Sequence, residues 1–148
     1  MNEMIYSPLQ GTAVVLEDVN DPLFSQKMLG DGMAIIPTDK KLVAPMNGKV
    51  IMIFETRHAI GIKSESGFEI LIHVGIDTVM LKGKPFEILT NVGDNVKVGD
   101  HIANVDFETI KDSGYEIITP IISTNRNVQW KKHEGAIEFG DALFEVSE

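Results

Sequence analysis

Apolar and polar residues alternate along this chain in short runs, and glycine, proline, aspartate or asparagine interrupts the runs at intervals of about eight to twelve residues. Period-two alternation of this length is the mark of half-buried strands, not of helices. Strands are expected over residues 4–9 and 12–17, split by Gln10 and Gly11, then over 32–37 and 49–54. Pro45 and Gly48 lead into the latter. Further strands are expected over 59–63, 68–74, 85–89, 101–106 and 115–123. The tail 136–146 should return once or twice, with Gly140-Asp141 as its turn. The single good helix signal in the first half is Asp21 as N-cap, Pro22 at the first helical position, apolar Leu23, Phe24, Met28 and Leu29, and Gly30 as the stop. Residues 78–84 and 107–113 should be no more than helical turns. This pattern predicts an all-β protein, an antiparallel β-sandwich with one or two short helical turns. Glycine–aspartate turns recur at Gly30, Gly93, Gly99 and Gly140, which hints at a duplicated strand motif.

The most informative stretch lies at 56–81. Strands 59–63 and 68–74 are joined by Ser64-Glu65-Ser66-Gly67, a polar link ending in glycine, so they form a hairpin. A two-residue loop (Glu65, Ser66) or a four-residue loop (64–67) places His58 directly opposite His73, with Cβ atoms about 5 Å apart. A three-residue loop would shift the register by one and turn the rings to opposite faces. A lone strand histidine is ordinarily a buried, hydrogen-bonded core group. Two in register are harder to explain by packing, because pairing groups that titrate near neutrality serves proton or ligand handling. Asp77, beyond Gly75, adds a carboxylate within reach.

Composition narrows the options. A length of 148 residues with 43% apolar residues suits one domain spanning 1–148. No window approaches eighteen uninterrupted apolar residues, and the start lacks a basic region and a cleavable apolar stretch, so a cytoplasmic protein without membrane insertion is expected. With no cysteine, disulfides and thiolate chemistry are excluded, and any metal would need histidine and carboxylate ligands. A net charge of −9 argues against nucleic acid or an anionic membrane as a partner, since both need clustered Lys and Arg, and favours a protein partner with a basic face.

Thr56-Arg57-His58, the step from there to His73, L-I-H-V-G-I-D-T-V from Leu71 to Val79 and L-K-G from Leu81 to Gly83 resemble the glucose-family enzyme IIA domain. That domain belongs to the bacterial phosphoenolpyruvate-dependent sugar phosphotransferase system. Glu17-Asp18-Val19, Gly30-Asp31-Gly32, Val43-Ala44-Pro45, V-K-V-G-D ending at Asp100, and Thr119-Pro120 extend the likeness over nearly the whole chain. The resemblance implies a barrel-sandwich-like duplicated hybrid motif whose histidine pair lies in a shallow depression. It implies that His73 takes a phosphoryl group from the histidine-containing phosphocarrier protein and hands it to the enzyme IIB domain of a membrane sugar permease. His58 would stabilise that group, Thr56 would orient His58, and Asp77 would be a rim carboxylate. Phe24, Met28, Leu29, Phe54, Leu71 and Val79 would form an apolar patch for both partners. No cofactor is implied. His101 and His133 read as solvated bystanders.

Three rivals remain. His73-Val-Gly-Ile-Asp77 has the H-x-x-x-D spacing of a zinc-bound pair, and His58 would complete three ligands of a zinc-dependent hydrolase; no H-x-H pair follows downstream. Without that enzyme, zinc is expected on His58 and His73 only adventitiously or when a partner completes the site. Residues 44–48 with the following glycine–aspartate turns resemble biotinyl and lipoyl carrier domains, yet no lysine stands at the required tight turn. Lastly, the same phosphoprotein could act as a regulator that signals sugar supply.

Overall fold

A computed structural model describes residues 2–147. The alternating runs become strands β1 (Glu3–Tyr6), β2 (Gly11–Val15), β3 (Asp31–Pro37), β4 (Lys41–Val43), β5 (Gly48–Ile53), β6 (Ala59–Lys63), β7 (Glu69–His73), β8 (Phe86–Ile88), β9 (Asn95–Val96), β10 (His101–Val105), β11 (Thr119–Ser123), β12 (Asn127–Lys131), β13 (Gly135–Ile137) and β14 (Ala142–Ser147). Helices are confined to α1 (Pro22–Ser25), α2 (Phe107–Asp112) and 3-10 turns at Leu16–Asp18 and Thr78–Leu81. All strand pairs are antiparallel. This is the expected all-β sandwich.

The strand order is palindromic. The large sheet runs β13-β2-β3-β11-β7-β6-β5-β9, and two small sheets run β1-β14-β12 and β4-β10-β8. Reflection about the β11–β7 pair exchanges β13 with β9, β2 with β5, β3 with β6, and one small sheet with the other. The hydrogen bonds repeat with the topology. Ser7 N–H donates to Asp141 O (2.7 Å) and receives Gly140 N–H on its carbonyl (3.1 Å); Ala44 does the same with Asp100 O (2.8 Å) and Gly99 N–H (3.0 Å). Asp100 and Asp141 each accept, on Oδ2, the N–H three residues earlier, from Lys97 and Glu138. Gly99 (φ 89°) and Gly140 (φ 82°) occupy the left-handed region that this turn demands, which is why glycine recurs there. Of the four glycine–aspartate turns, the pair at Gly99 and Gly140 therefore marks a true structural duplication.

The main core lies between the sheets and is filled by the inward residues of the alternation, among them Ile60, Ile62, Ile70, Ile72, Ile35 and Ile121 against Phe144 and Ile102. Burying each such side chain is worth about 1.5–3 kcal/mol. A second, smaller cluster of Leu16, Val19, Phe24, Ala34, Ala59, Leu71, Ile76, Ile118 and Ile122 covers the opposite face of the large sheet.

Several expectations need correction. The link between β6 and β7 is a three-residue loop: Ser64 N–H donates to Phe68 O (2.8 Å), Ser64 Oγ accepts Phe68 N–H (3.0 Å), and Gly67 takes φ 97°. Ala59, not His58, is therefore opposite His73. The strand expected through residue 17 ends at Val15, and the one expected over 4–9 ends at Tyr6. Lys27 (φ 55°) follows α1, so Gly30 is not the helix stop. Strand β11 begins at Thr119, after the expected start at 115, and β12 was not foreseen.

Candidate functional site

Leu71 and His73 are the outward positions of β7, between the core-facing Ile70 and Ile72. Immediately after His73 the chain turns through Gly75 (φ 73°), where a Cβ would lie 2.5 Å from Thr78 Cγ2 and 2.8 Å from Glu116 O. This turn aims the Gly75 carbonyl at His73 Nδ1 (2.8 Å). A carbonyl only accepts, so Nδ1 carries the proton, and in the neutral ring Nε2 is an unprotonated lone-pair nitrogen.

His58 reaches the same place by a different route. In a regular pleat the observed register would turn the imidazoles to opposite faces. His58, however, stands in the turn ahead of β6, after Arg57 in the left-handed region (φ 63°), and only its carbonyl joins the ladder by accepting Val74 N–H (2.7 Å). The rings meet edge to face with centroids 4.9 Å apart. Phe24 lies 4.9 Å from His73 and Phe54 lies 5.1 Å from His58, so the order is Phe24, His73, His58, Phe54. Thr56 Oγ1 is 2.8 Å from His58 Nδ1. When that hydroxyl donates, the His58 proton sits on Nε2.

Burial sets the protonation of the pair. His58 is only 4% exposed, and desolvation, reinforced by the neighbouring His73, lowers its pKa to about 4. His73 is half-buried and is also lowered by desolvation, against the opposing pull of the Gly75 hydrogen bond and the carboxylates of Asp21 and Asp77. Both rings are therefore neutral at pH 7. Asp77, itself in the left-handed region (φ 61°), is exposed and precedes the Thr78–Leu81 turn without capping it. Asp21 acts from the other side, where it caps α1 by accepting Leu23 N–H (3.0 Å). Sequence reasoning used Asp21 only as a cap; its place just before Phe24 was the signal that it borders the site.

Of the apolar residues expected to dock partners, Met28, Leu29, Phe54 and Val79 are exposed. Phe24 (1% exposed) and Leu71 (9%) are not, because the second cluster on this face encloses them; Phe24 supports the His73 ring instead. Leu23 and Met80, not singled out from the sequence, are also exposed beside these residues in the chain. The three-ligand zinc centre does not assemble: among the described residues no three His, Asp or Glu side chains converge to hold an ion. His101 bonds Asn104 through Nε2 (2.8 Å) and, like His133, is exposed and takes no part. No helix is long and apolar enough to cross a membrane among the described residues.

The duplicated antiparallel sandwich thus holds two neutral imidazoles edge to face, one with its Nδ1–H bonded to a backbone carbonyl and its Nε2 left as a lone-pair nitrogen. Residues 3–128 match the family model described as phosphoenolpyruvate-dependent sugar phosphotransferase system, EIIA 1. The chain is 49% identical over 124 residues to the PTS system glucose-specific EIIA component of Staphylococcus epidermidis, covering 84% of this chain and 75% of that protein. It is 48% identical over 123 residues to the protein of that name from Halalkalibacterium halodurans, covering 83% and 71%. The solved glucose permease IIA from Mycoplasma capricolum superposes with a TM-score of 0.93 at 37% identity, over 98% of this chain and 96% of that one. The chain thus belongs to the EIIA 1 family of the sugar phosphotransferase system, and is a phosphotransfer component of that system.

Proposed function

We propose that His73 is the phosphoryl acceptor, receiving the group on Nε2 from the histidine-containing phosphocarrier protein and passing it to the enzyme IIB domain of a membrane sugar permease. The observation that carries this reading is the Nδ1–H···O=C bond from His73 to Gly75, which leaves Nε2 as the lone-pair nitrogen of a neutral ring beside His58. The Nε2 lone pair attacks phosphorus as the P–N bond to the donor histidine breaks, and the donor nitrogen leaves with that electron pair. Positive charge appearing on the His73 ring is met by the Gly75 carbonyl. His58, with Thr56 donating to its Nδ1, turns Nε2–H toward the phosphoryl oxygens and spreads charge in a loose transition state. Exposed Met28, Leu29, Phe54 and Val79 offer apolar contact to both partners. Asp77 and Asp21 supply negative charge at the rim, which suits a partner with a basic face.

The test is intact mass after incubation with phosphoenolpyruvate, enzyme I and the phosphocarrier, with half the sample acid-treated. One acid-labile phosphoryl group is expected on the wild type and none on His73→Ala, while His58→Gln should be phosphorylated but slow in onward transfer. A fully phosphorylated His73→Ala would refute the assignment.

A further inference from the structure

Away from the histidines, Lys49 and Lys63 are direct cross-strand partners on β5 and β6. Like charges directly opposed on one sheet face destabilise the pair. The arrangement is all the odder in a chain with 13 basic against 22 acidic residues, where carboxylates are plentiful. Lys63 Nζ has Glu69 at 3.8 Å, but among the described residues no ion pair serves Lys49 or Lys97.

These three lysines line one groove of about 880 Å3 between β5, β9 and the β6–β7 loop. Its size is that of small-molecule sites. Two carboxylates, Glu65 and Asp100, also border it, and Asp100 is already engaged in its turn by the Lys97 N–H (2.8 Å). Neutral donors complete the lining. Asn47 Oδ1 accepts Val98 N–H (2.9 Å), which directs its amide NH2 away from that bond, and Ser64 Oγ accepts Phe68 N–H, so its own proton can be given to a ligand. Ile51 supplies an apolar wall. The other large groove, beside α2, has lysines 40, 84 and 111 outnumbered by Asp39, Glu87, Asp106 and Glu108, whereas here three lysines line the groove against two carboxylates.

We propose that the Lys49–Lys63–Lys97 groove is a binding site for a phosphate-bearing anion, separate from the histidine pair by the length of β6, about 16 Å at strand rise. Lysine binds phosphate as a point charge, and an anion between Lys49 and Lys63 turns their repulsion into two attractions. The ligand's phosphate can belong to a soluble compound or to a lipid headgroup, and the groove's chemistry is the same for both.

The experiment follows backbone amide spectra of the full chain through a titration with inorganic pyrophosphate, at ionic strength held constant with sodium chloride. In parallel, the chain is co-sedimented with vesicles of phosphatidylglycerol in phosphatidylcholine. Saturable shifts confined to residues 47–49, 63–65 and 95–97 are expected. The Lys49→Gln/Lys97→Gln variant should weaken binding at least tenfold while the remaining spectrum stays unchanged. Response to pyrophosphate identifies a soluble phosphate ligand, and response to vesicles alone identifies a lipid phosphate; either supports the site. No saturable response in both arms, or a double variant that binds like the wild type, overturns it.

Discussion

Replacing His58 by glutamine should remove a specific block of acid sensitivity from the protein. In the folded chain His58 titrates at about 4, against an ordinary 6.5. Above pH 6.5 the imidazole is neutral whether folded or unfolded and contributes no pH dependence. As pH falls below 6.5 the unfolded chain binds a proton that the folded chain refuses, so stability declines until the folded ring itself protonates near pH 4. At about 1.4 kcal/mol per pH unit across that window, the loss is about 3 kcal/mol, a large part of the total stability of an ordinary domain. His73 is shifted in the same direction and adds to the decline. Urea denaturation of wild type and His58→Gln at pH 7, 6, 5 and 4 isolates the effect, since the carboxylates are common to both and cancel. The wild type should lose about 3 kcal/mol more than the variant between pH 7 and pH 4. Parallel curves would refute the claim that burial holds His58 neutral.

Two further outcomes are expected. Thr56→Val leaves Nδ1 of a buried imidazole without its partner, so urea denaturation should show a loss of about 1–3 kcal/mol, and onward phosphoryl transfer should slow because the His58 tautomer is no longer fixed. Phe24→Ala should cost about 3–5 kcal/mol as a large-to-small change in the second cluster, and should raise the His73 titration midpoint in imidazole NMR, since burial is the main cause holding it down.

Much of the fold was legible because local and long-range preferences agree. The alternation around Ile60, Ile62, Ile70 and Ile72 identifies β6, β7 and their inward face, and Asp21 with Pro22 marks the start of α1. That His58 and His73 come together could be read from their flanking one hairpin; the route could not. It depends on Ser64 closing a three-residue loop with its hydroxyl and on Arg57, a residue with no local reason to be left-handed. The burial of Phe24 and Leu71 was hidden because the large sheet is covered on both faces at this point, whereas alternation implies one dry face and one wet one. Strand β12 escaped because its residues are mostly polar and exposed. It is held by pairing with β14, a contact between distant segments.

The mirrored sheet has a consequence for how this scaffold divides its labour. Ile60 pairs with Ile72 in one half as Met33 pairs with Ile121 in the other, and two residues ahead of each stand His58 and Asp31. At the first position lies a buried neutral ring. At the second, Asp31 lies close to Lys27 and Lys131 in a cluster of charge. The same place in the two repeats thus carries a buried uncharged ring in one and an ion-paired carboxylate in the other, so the duplicated backbone sets where a side chain stands and leaves its chemistry free to differ.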